Sequence, residues 1–342
     1  MSVALDIIET TIATAGLTDR LPSATIENLS TIGQVLTSDK VVYNEFITTL
    51  VDNTIPRWIT AKRFSSPLSF VKGNYTPMGN KGVEYYINPA KAKVYSMDGS
   101  GLLSVDKPSI KMLVYQINRE NHYDVDISRP LIARAFSSEQ MFMSFLDSIV
   151  NSLYSGSEID EFELTKNLMA KGVADSQIIT DNNYAKPIDA NTSELFLKAI
   201  KTTVGYMQYP STELNGYSID KTVEEDKVTT WCNPEDLLCI LREDVYQNMN
   251  ISYLASVFNL SLVDFTKNNL VRVNNFGSGH TIMGGVCDKA MFRIQDNFKE
   301  LDSFYDTANA KTKYTLHVMQ TFGLNLFANA VFFTEKPATP AA

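Results

Sequence analysis

A chain of 342 residues with 44% hydrophobic side chains has apolar surface for one large core or two modest ones, which excludes a disordered polymer. Thirty Lys and Arg against thirty-nine Asp and Glu leave a net charge of −9. An acidic surface repels phosphate and phospholipid headgroups, which argues against a dedicated DNA-binding or membrane-surface role.

The stretch from Met1 to Gly16 holds no Lys or Arg and includes Asp6 and Glu9, so it lacks the positive start of a secretory leader. The chain is therefore expected to stay in the cytosol of the cell that makes it. Residues 1–55 alternate short apolar stretches with Gly16, Pro22, Gly33 and many Thr and Ser, and suggest an arm more than a domain. One helix is expected from Val42 to Val51, because Val42, Phe46, Ile47 and Leu50 follow helical spacing and Pro56 stops the pattern.

From Trp58 to Ile127 the pattern changes to short strands rich in β-branched and aromatic residues. Gly79-Asn80 and Asp98-Gly99 are the expected tight turns. Hydrophobic residues look sparse between Tyr75 and Lys107, where Lys81, Lys91, Lys93 and Lys107 stud the strands. Such a piece is expected to be a long β-arm lying on something else, or a solvated sheet edge guarded by lysines.

Ser137 and Gln140 have the spacing of a capping box. Phe142, Phe145, Leu146, Ile149 and Leu153 then share a helical face, and Ile159, Phe162, Leu164, Leu168 and Met169 continue at helical intervals up to Lys171-Gly172. A helix over 138–171 would reach roughly 50 Å at 1.5 Å per residue. A bend or break at Gly156 is the alternative, since an interior glycine costs about 1 kcal/mol. A second helix is expected from Asn191 to Tyr206, capped by Asn191 with Glu194 three residues on.

Asn233-Pro234-Glu235-Asp236 resembles a helix start, but the block Leu237–Leu241 is continuously apolar and predicts a buried strand. Helices are then expected from Arg242 to Asn248 and from Ile251 to Phe258. Val271 to Phe333 is dominated by strands, and Tyr314 to Phe322 alternates cleanly enough to have two faces. His317, Gln320, Asn325 and Asn329 interrupt the apolar stretch Tyr314–Phe333, which is too polar for a membrane helix. The order of elements indicates an α+β architecture.

Chemistry is sparse. Cys232, Cys239 and Cys287 lack the close spacing of a zinc knuckle and are expected to be buried thiols. Asn28, Asn191, Asn250 and Asn259 begin formal glycosylation sequons that mean little without a leader. His122, His280 and His317 show no metal-ligand spacing, and the run Gly277–His280 lacks the Lys-Ser/Thr ending of a phosphate loop. Gly216-Tyr217-Ser218 begins like a nucleophile elbow, but Asp220 stands where its closing glycine belongs. Asp124 and Asp126 share one side of a strand without a third polar group. Glu158, Asp160, Glu161 and Glu163 form the densest acidic cluster, read as the solvated face of a helix. No cofactor or metal is implied.

Two stretches carry a resemblance. NPEDLLCILREDVYQNMNISYLASVFN, Asn233 to Asn259, resembles the segment of tailed-phage major capsid proteins where a Pro-Glu-Asp turn leads into a buried strand. YTLHVMQTFGLNLFANAVFF, Tyr314 to Phe333, looks like the strands that close the peripheral domain in the same family. With the long helix and the hairpin arm before it, the order of parts is similar to the Hong Kong 97-like capsid fold along nearly the whole chain.

That resemblance implies an N-terminal arm at 1–55 and an extended loop at 56–108 overlapping a neighbouring subunit. It implies a peripheral domain at 109–177 and 286–334 with a spine helix at 138–171, an axial domain at 178–285 and a tail at 335–342. It also implies pentamers and hexamers of this chain in an icosahedral shell, assembled in the host cytoplasm and enclosing double-stranded DNA without sequence-specific binding. The weakly charged arm is unlike the scaffold-like extension of many relatives, so a separate scaffolding protein is expected beside the portal. Lys81, Lys91 and Lys93 are the candidate contacts to acids between Glu158 and Glu163 of a neighbour. An encapsulin-like compartment shell and a soluble enzyme with a dispersed site are the alternatives.

Overall fold

The computed structural model describes residues 2–51, 64–77, 82–92, 108–249, 269–279, 281–306 and 311–336. The chain forms two compact units, each assembled from separated stretches of sequence.

The first unit draws on residues 1–66, 119–161 and 296–320. It opens with three helices, α1 (Val3–Thr14), α2 (Leu29–Ser38) and α3 (Lys40–Thr49), of which only the last was expected. Seven of the twelve residues of α1 are β-branched, which is poor helix material. However, Leu5, Ile8 and Ile12 are buried from one side of it, so packing overrides propensity. The Ser2 hydroxyl caps α1 by accepting from the Leu5 amide, and the Asp39 carboxylate caps α3 by accepting from Val41 and Val42. The described part of the expected arm is therefore core-forming: Leu29, Ile32, Tyr43 and Phe46 pack with Phe136, Phe142, Leu316 and Val318 in one cluster.

Strand β3 (Arg119–Ser128) leads into α4 (Arg129–Ala135) and α5 (Glu139–Val150). The cap of α5 is Ser138, which accepts from Met141, and not Ser137, whose hydroxyl donates to Arg134 O and finishes α4. A π-helical turn, Asn151–Ser155, joins α5 to α6 (Gly156–Ala174), so the long helical run exists without a break at Gly156. The unit's sheet has the order β3–β9–β8, with β8 at Phe292–Asp306 and β9 at Lys311–Leu324. In the antiparallel β3–β9 pair Arg119 lies opposite Gln320 and Ser128 opposite Lys311. Alternation works as expected here: Thr312, Tyr314, Leu316 and Val318 are buried while Lys311 and Lys313 face solvent.

The second unit draws on residues 67–118, 162–295 and 321–342. Its main sheet runs β4 (Ile179–Asp181), β10 (Ala330–Thr334), β7 (Ile282–Asp288), β5 (Leu237–Arg242), β6 (Leu270–Val273). The pairs β10–β4 and β5–β6 are parallel; the other two are antiparallel. Leu238, Ile240, Cys287 and Phe332 pack on one face with Met169 and Ala170 of α6. Leu237, Cys239, Leu241, Val286 and Phe333 pack on the other with Phe196, Ile200 and Val204 of α7 (Ala190–Met207). Burial on both faces is why residues 237–241 are continuously apolar, and the expected strand is there.

Three details depart from expectation. The cap of α7 is Asp189, not Asn191: its carboxylate accepts from Thr192 N, and the Thr192 hydroxyl accepts from Asp189 N. The helix expected at 242–248 is the short α8 (Glu243–Tyr246), while the one expected at 251–258 lies outside the described residues. β7 and β10 share a sheet with β5, so the structure does not divide into 178–285 on one side and 286–334 on the other.

Backbone proximity in β7 demands glycine. A Cβ on Gly284 would lie 2.7 Å from Ile240 O, and one on Gly285 would lie 2.7 Å from the Phe332 ring, whereas one on Gly205 in α7 would meet nothing within 4 Å. Gly285→Val should therefore destabilise the protein by about 1–3 kcal/mol, and Gly205→Ala should stabilise it by about 0.5–1 kcal/mol, both read from thermal melting. Arg242 ends β5, donating to Asp244, to Glu335 and to Ile282 O, and Lys186 donates to the other Asp244 oxygen. Burial alone would raise the Asp244 pKa, but the hydrogen bonds from Arg242 and Lys186 hold it at about 2. A depressed carboxylate stabilises the fold above its unfolded pKa, near 3.9, and loses that contribution as pH falls through about 2. Asp244→Asn should thus lower the melting temperature at neutral pH, and the gap to wild type should close as pH is taken below 4.

Candidate intersubunit surface

Strands β1 (Gly82–Ile87) and β2 (Ile110–Tyr115) form a two-stranded antiparallel ribbon in the second unit, with Gly82 opposite Tyr115 and Ile87 opposite Ile110. Alternation gives it two unlike faces. On one, Glu84 accepts from Arg293 at 2.6 and 3.0 Å, from Asn325 Nδ2 at 3.0 Å and from the Tyr115 hydroxyl at 3.2 Å. Tyr86 donates to Thr229 O and its ring stacks 5.3 Å from Phe327; Lys111 pairs with Asp226 at 3.1 Å. Beyond β1, Asn88 donates to Lys227 O and accepts from Thr229 N. Burial, reinforced by the Glu84 charge, pushes the Tyr115 phenol well above its ordinary pKa, so it stays a donor. These contacts fasten the root of the ribbon to its own unit.

The other face is apolar and uncovered. Val83, Tyr85, Ile87, Ile110, Met112 and Val114 are 42–64% exposed, and the register sets them in three cross-strand pairs: Val83 with Val114, Tyr85 with Met112, Ile87 with Ile110. The expectation of sparse hydrophobic residues between Tyr75 and Lys107 is corrected at the root of that segment, where Val83, Tyr85 and Ile87 pair with Val114, Met112 and Ile110 just beyond it. Each strand alone reads as a mixed run; only the register, with its period of two, collects the six side chains on one side. Fully burying such a side chain contributes about 1.5–3 kcal/mol, against about 0–1 kcal/mol for an exposed ion pair. Any surface that covers this face is held by the apolar side chains first.

Of the candidate lysines, Lys91 is exposed just beyond β1. Lys81, Lys93 and Lys107 lie outside the described residues, as do both expected turns. The acidic cluster on α6 is not a uniformly solvated face. Glu158 and Glu161 are 7% and 6% exposed, and Glu161 accepts from Gln320 at 2.6 Å. Gln320 also donates to Asp296 and accepts from Arg119, which donates in turn to Tyr123 and to Ser157 O. Asp160 and Glu163 are exposed: Asp160 accepts from the Tyr123 hydroxyl, and Glu163 from Lys166, a buried ammonium that also donates to Asn274 and Asn275. Burial removes Glu158 and Glu161 from any surface a neighbour's lysine could reach.

Of the side chains weighed for catalysis, Ser218 and Asp124 are engaged in holding the fold. Ser218 is buried, donates to Asn215 and accepts from Val228 N. Asp124 accepts from Lys313 and Thr315, each at 2.7 Å, and Lys313 holds its carboxyl below the usual range. Asp126 lies 3.9 Å from Lys311, and His280 is outside the described residues. The three cysteines are buried free thiols. Among the described residues no group of three or more His, Cys, Asp or Glu could hold a metal, and no helix is long and apolar enough to cross a membrane.

Comparison with known proteins places these features. Residues 8–334 match the Phi29-like phage major capsid protein family. The chain is 28% identical over 328 residues to the major capsid protein of Bacillus phage PZA, spanning 92% of this chain and 69% of that protein. It is 26% identical over 344 residues to that of Bacillus phage B103, spanning 96% and 72%. The capsid structure of Staphylococcus phage Andhra shares the fold at 12% identity, with a TM-score of 0.63 over 80% of this chain and 85% of that one. The expected α+β capsid fold is therefore present, and the relatives are major capsid proteins, which favours the head-shell reading over the compartment and enzyme alternatives. The chain belongs to the Phi29-like phage major capsid protein family and is a subunit of a phage head shell.

Proposed function

We propose that the β1–β2 ribbon is the root of an extended loop, residues 56–108, which lies on an adjacent copy of the chain and closes the shell. The observation that carries this reading is the uncovered row of six apolar side chains on a ribbon whose other face is already fastened to its own unit. Two strands alone are marginal in water, so an exposed apolar ribbon face implies a covering partner. In a shell of copies that partner is another subunit, and head-to-tail contacts of this kind close into rings.

On this reading the first unit, with α5 and the start of α6, corresponds to the peripheral domain. The five-stranded sheet of the second unit corresponds to the axial domain. Lys81, Lys91 and Lys93 serve register more than strength, opposite the exposed Asp160 and Glu163. Rings of five and six copies build an icosahedral head in the host cytoplasm with a separate scaffolding protein and a portal. The net charge of −9 lets the shell enclose double-stranded DNA without gripping it.

Replacing Tyr85, Met112 and Val114 together by Ser tests the reading. The isolated chain should stay folded and melt within about 1.5 kcal/mol of wild type, at about 0.5 kcal/mol for each surface change. Shells should nevertheless fail to form when the chain is expressed with its scaffold and imaged by electron microscopy. Lys81→Glu, Lys91→Glu and Lys93→Glu together should weaken assembly less than the serine variant. Normal shells from the serine variant, or a serine variant that unfolds, would sink the assignment.

A further inference from the structure

The second unit carries another uncovered surface, away from the ribbon's apolar row in sequence and unlike it in chemistry. At the end of α7 the backbone turns so that Cys232 N donates to Met207 O at 2.7 Å, while Ser211 and Thr230 exchange amide hydrogen bonds at 3.0 and 2.9 Å. These bonds bring residues 206–211 alongside 230–232. Three large aromatic side chains come out of this junction exposed: Tyr206 at 64%, Tyr209 at 70% and Trp231 at 53%. Beside Trp231 is a shallow open depression lined by Cys232, Asn233, Asp236, Asp288 and Lys289. The Lys289 ammonium is turned onto Glu235 O at 2.9 Å.

Charge is concentrated in the same stretch of chain, and Asp236 lines the depression beside Trp231. Residues 206–236 contain Glu213, Asp220, Glu224, Glu225, Asp226, Glu235 and Asp236 against Lys221 and Lys227, a local charge of −5 out of −9 for the whole chain. Lys227 is paired with Glu224, and Asp226 with Lys111. Glu213, Asp220, Glu225 and Asp236 are exposed.

We propose that this aromatic and acidic surface docks an arginine-rich segment of another polypeptide. Exposed indole and phenol faces attract a cation through the ring quadrupole, and a guanidinium can stack on the ring while its edge donates to a carboxylate. An ammonium is more strongly hydrated and lacks the planar stack, so lysine is the poorer ligand. A polyanion is repelled here, and a second copy presenting the same surface would bring its own −5 against it. The ribbon is fastened to this stretch at Asp226, Lys227 and Thr229, and Tyr209, Trp231 and Asp236 make none of those bonds, so the test leaves the ribbon's contacts in place.

Fluorescently labelled oligo-arginine and oligo-lysine peptides of equal length are titrated into the full chain before assembly and followed by anisotropy. Oligo-arginine should bind severalfold more tightly than oligo-lysine. Tyr209→Leu with Trp231→Leu, which leaves every charge in place, should weaken oligo-arginine about tenfold and erase the preference. Asp236→Asn should weaken both peptides with the aromatic residues intact, which keeps the site testable if the double variant misfolds. Equal affinity for the two peptides, or oligo-arginine binding indifferent to the aromatic substitutions, would show a general attraction to an acidic protein and overturn the proposal. Comparable binding of oligothymidylate would do the same by identifying a nucleic-acid surface. So would aromatic substitutions that abolish self-association of the chain while leaving peptide affinity unchanged.

Discussion

Burial of one sheet on both faces governs the second unit. Once β5, β7 and β10 are covered on either side, each strand must be apolar at consecutive positions. Where neighbouring backbone or the Phe332 ring comes too close, as at Gly284 and Gly285, no side chain fits at all. Polar requirements are displaced to the strand ends, where Arg242 collects Asp244, Glu335 and the Ile282 carbonyl. The ribbon is seated by the same logic. Arg293, just inside β8, meets Glu84, whose carboxylate also accepts hydrogen bonds from Asn325 and Tyr115. One carboxylate with four donors fixes which face of the ribbon turns inward, and thereby which face is left for a partner.

Legibility in the sequence followed periodicity. The apolar block at 237–241 and the alternation of β9 are strong local signals, and both strands are where those signals put them. The helices α1, α2 and α4 carried weak local signals, because β-branched residues, glycine and proline lower helix propensity there. They persist because Ile8, Ile32 and Ile132 are fully or almost fully buried in a shared core. The caps at Ser138 and Asp189 differ from expectation because adjacent residues compete for the same amide groups, and spacing alone does not choose between them. The apolar ribbon face was hidden for another reason: it belongs to a pairing between residues far apart in sequence, which no short window along the chain can contain.

The acidic cluster shows the limit of reading charge as solvation. Glu161 is buried because Gln320, two residues from the apolar run of β9, supplies it with an amide, and Arg119 completes the chain of partners at the start of β3. A polar network of this kind is stable only when its members are satisfied together. Its partners are distant in sequence, so spacing along the helix carries no sign that Glu158 and Glu161 are buried.

The π-helical turn at Asn151–Ser155 interrupts the single apolar face expected through residues 138–171. Such a turn holds one more residue than an α-helical one, and each residue advances the azimuth by about 100°. Upstream, the stripe Phe142, Leu146, Ile149 points inward. Downstream, the inward stripe is Ser157, Glu158 and Glu161, while Ile159 is 47% exposed. The turn acts as a phase shifter between an oily half and a polar half of a single rod. Excising one residue from it would restore regular turns and keep Glu158 and Glu161 facing inward, whereas regular α-helical turns with every residue retained would swing both carboxylates about 100° off the interior.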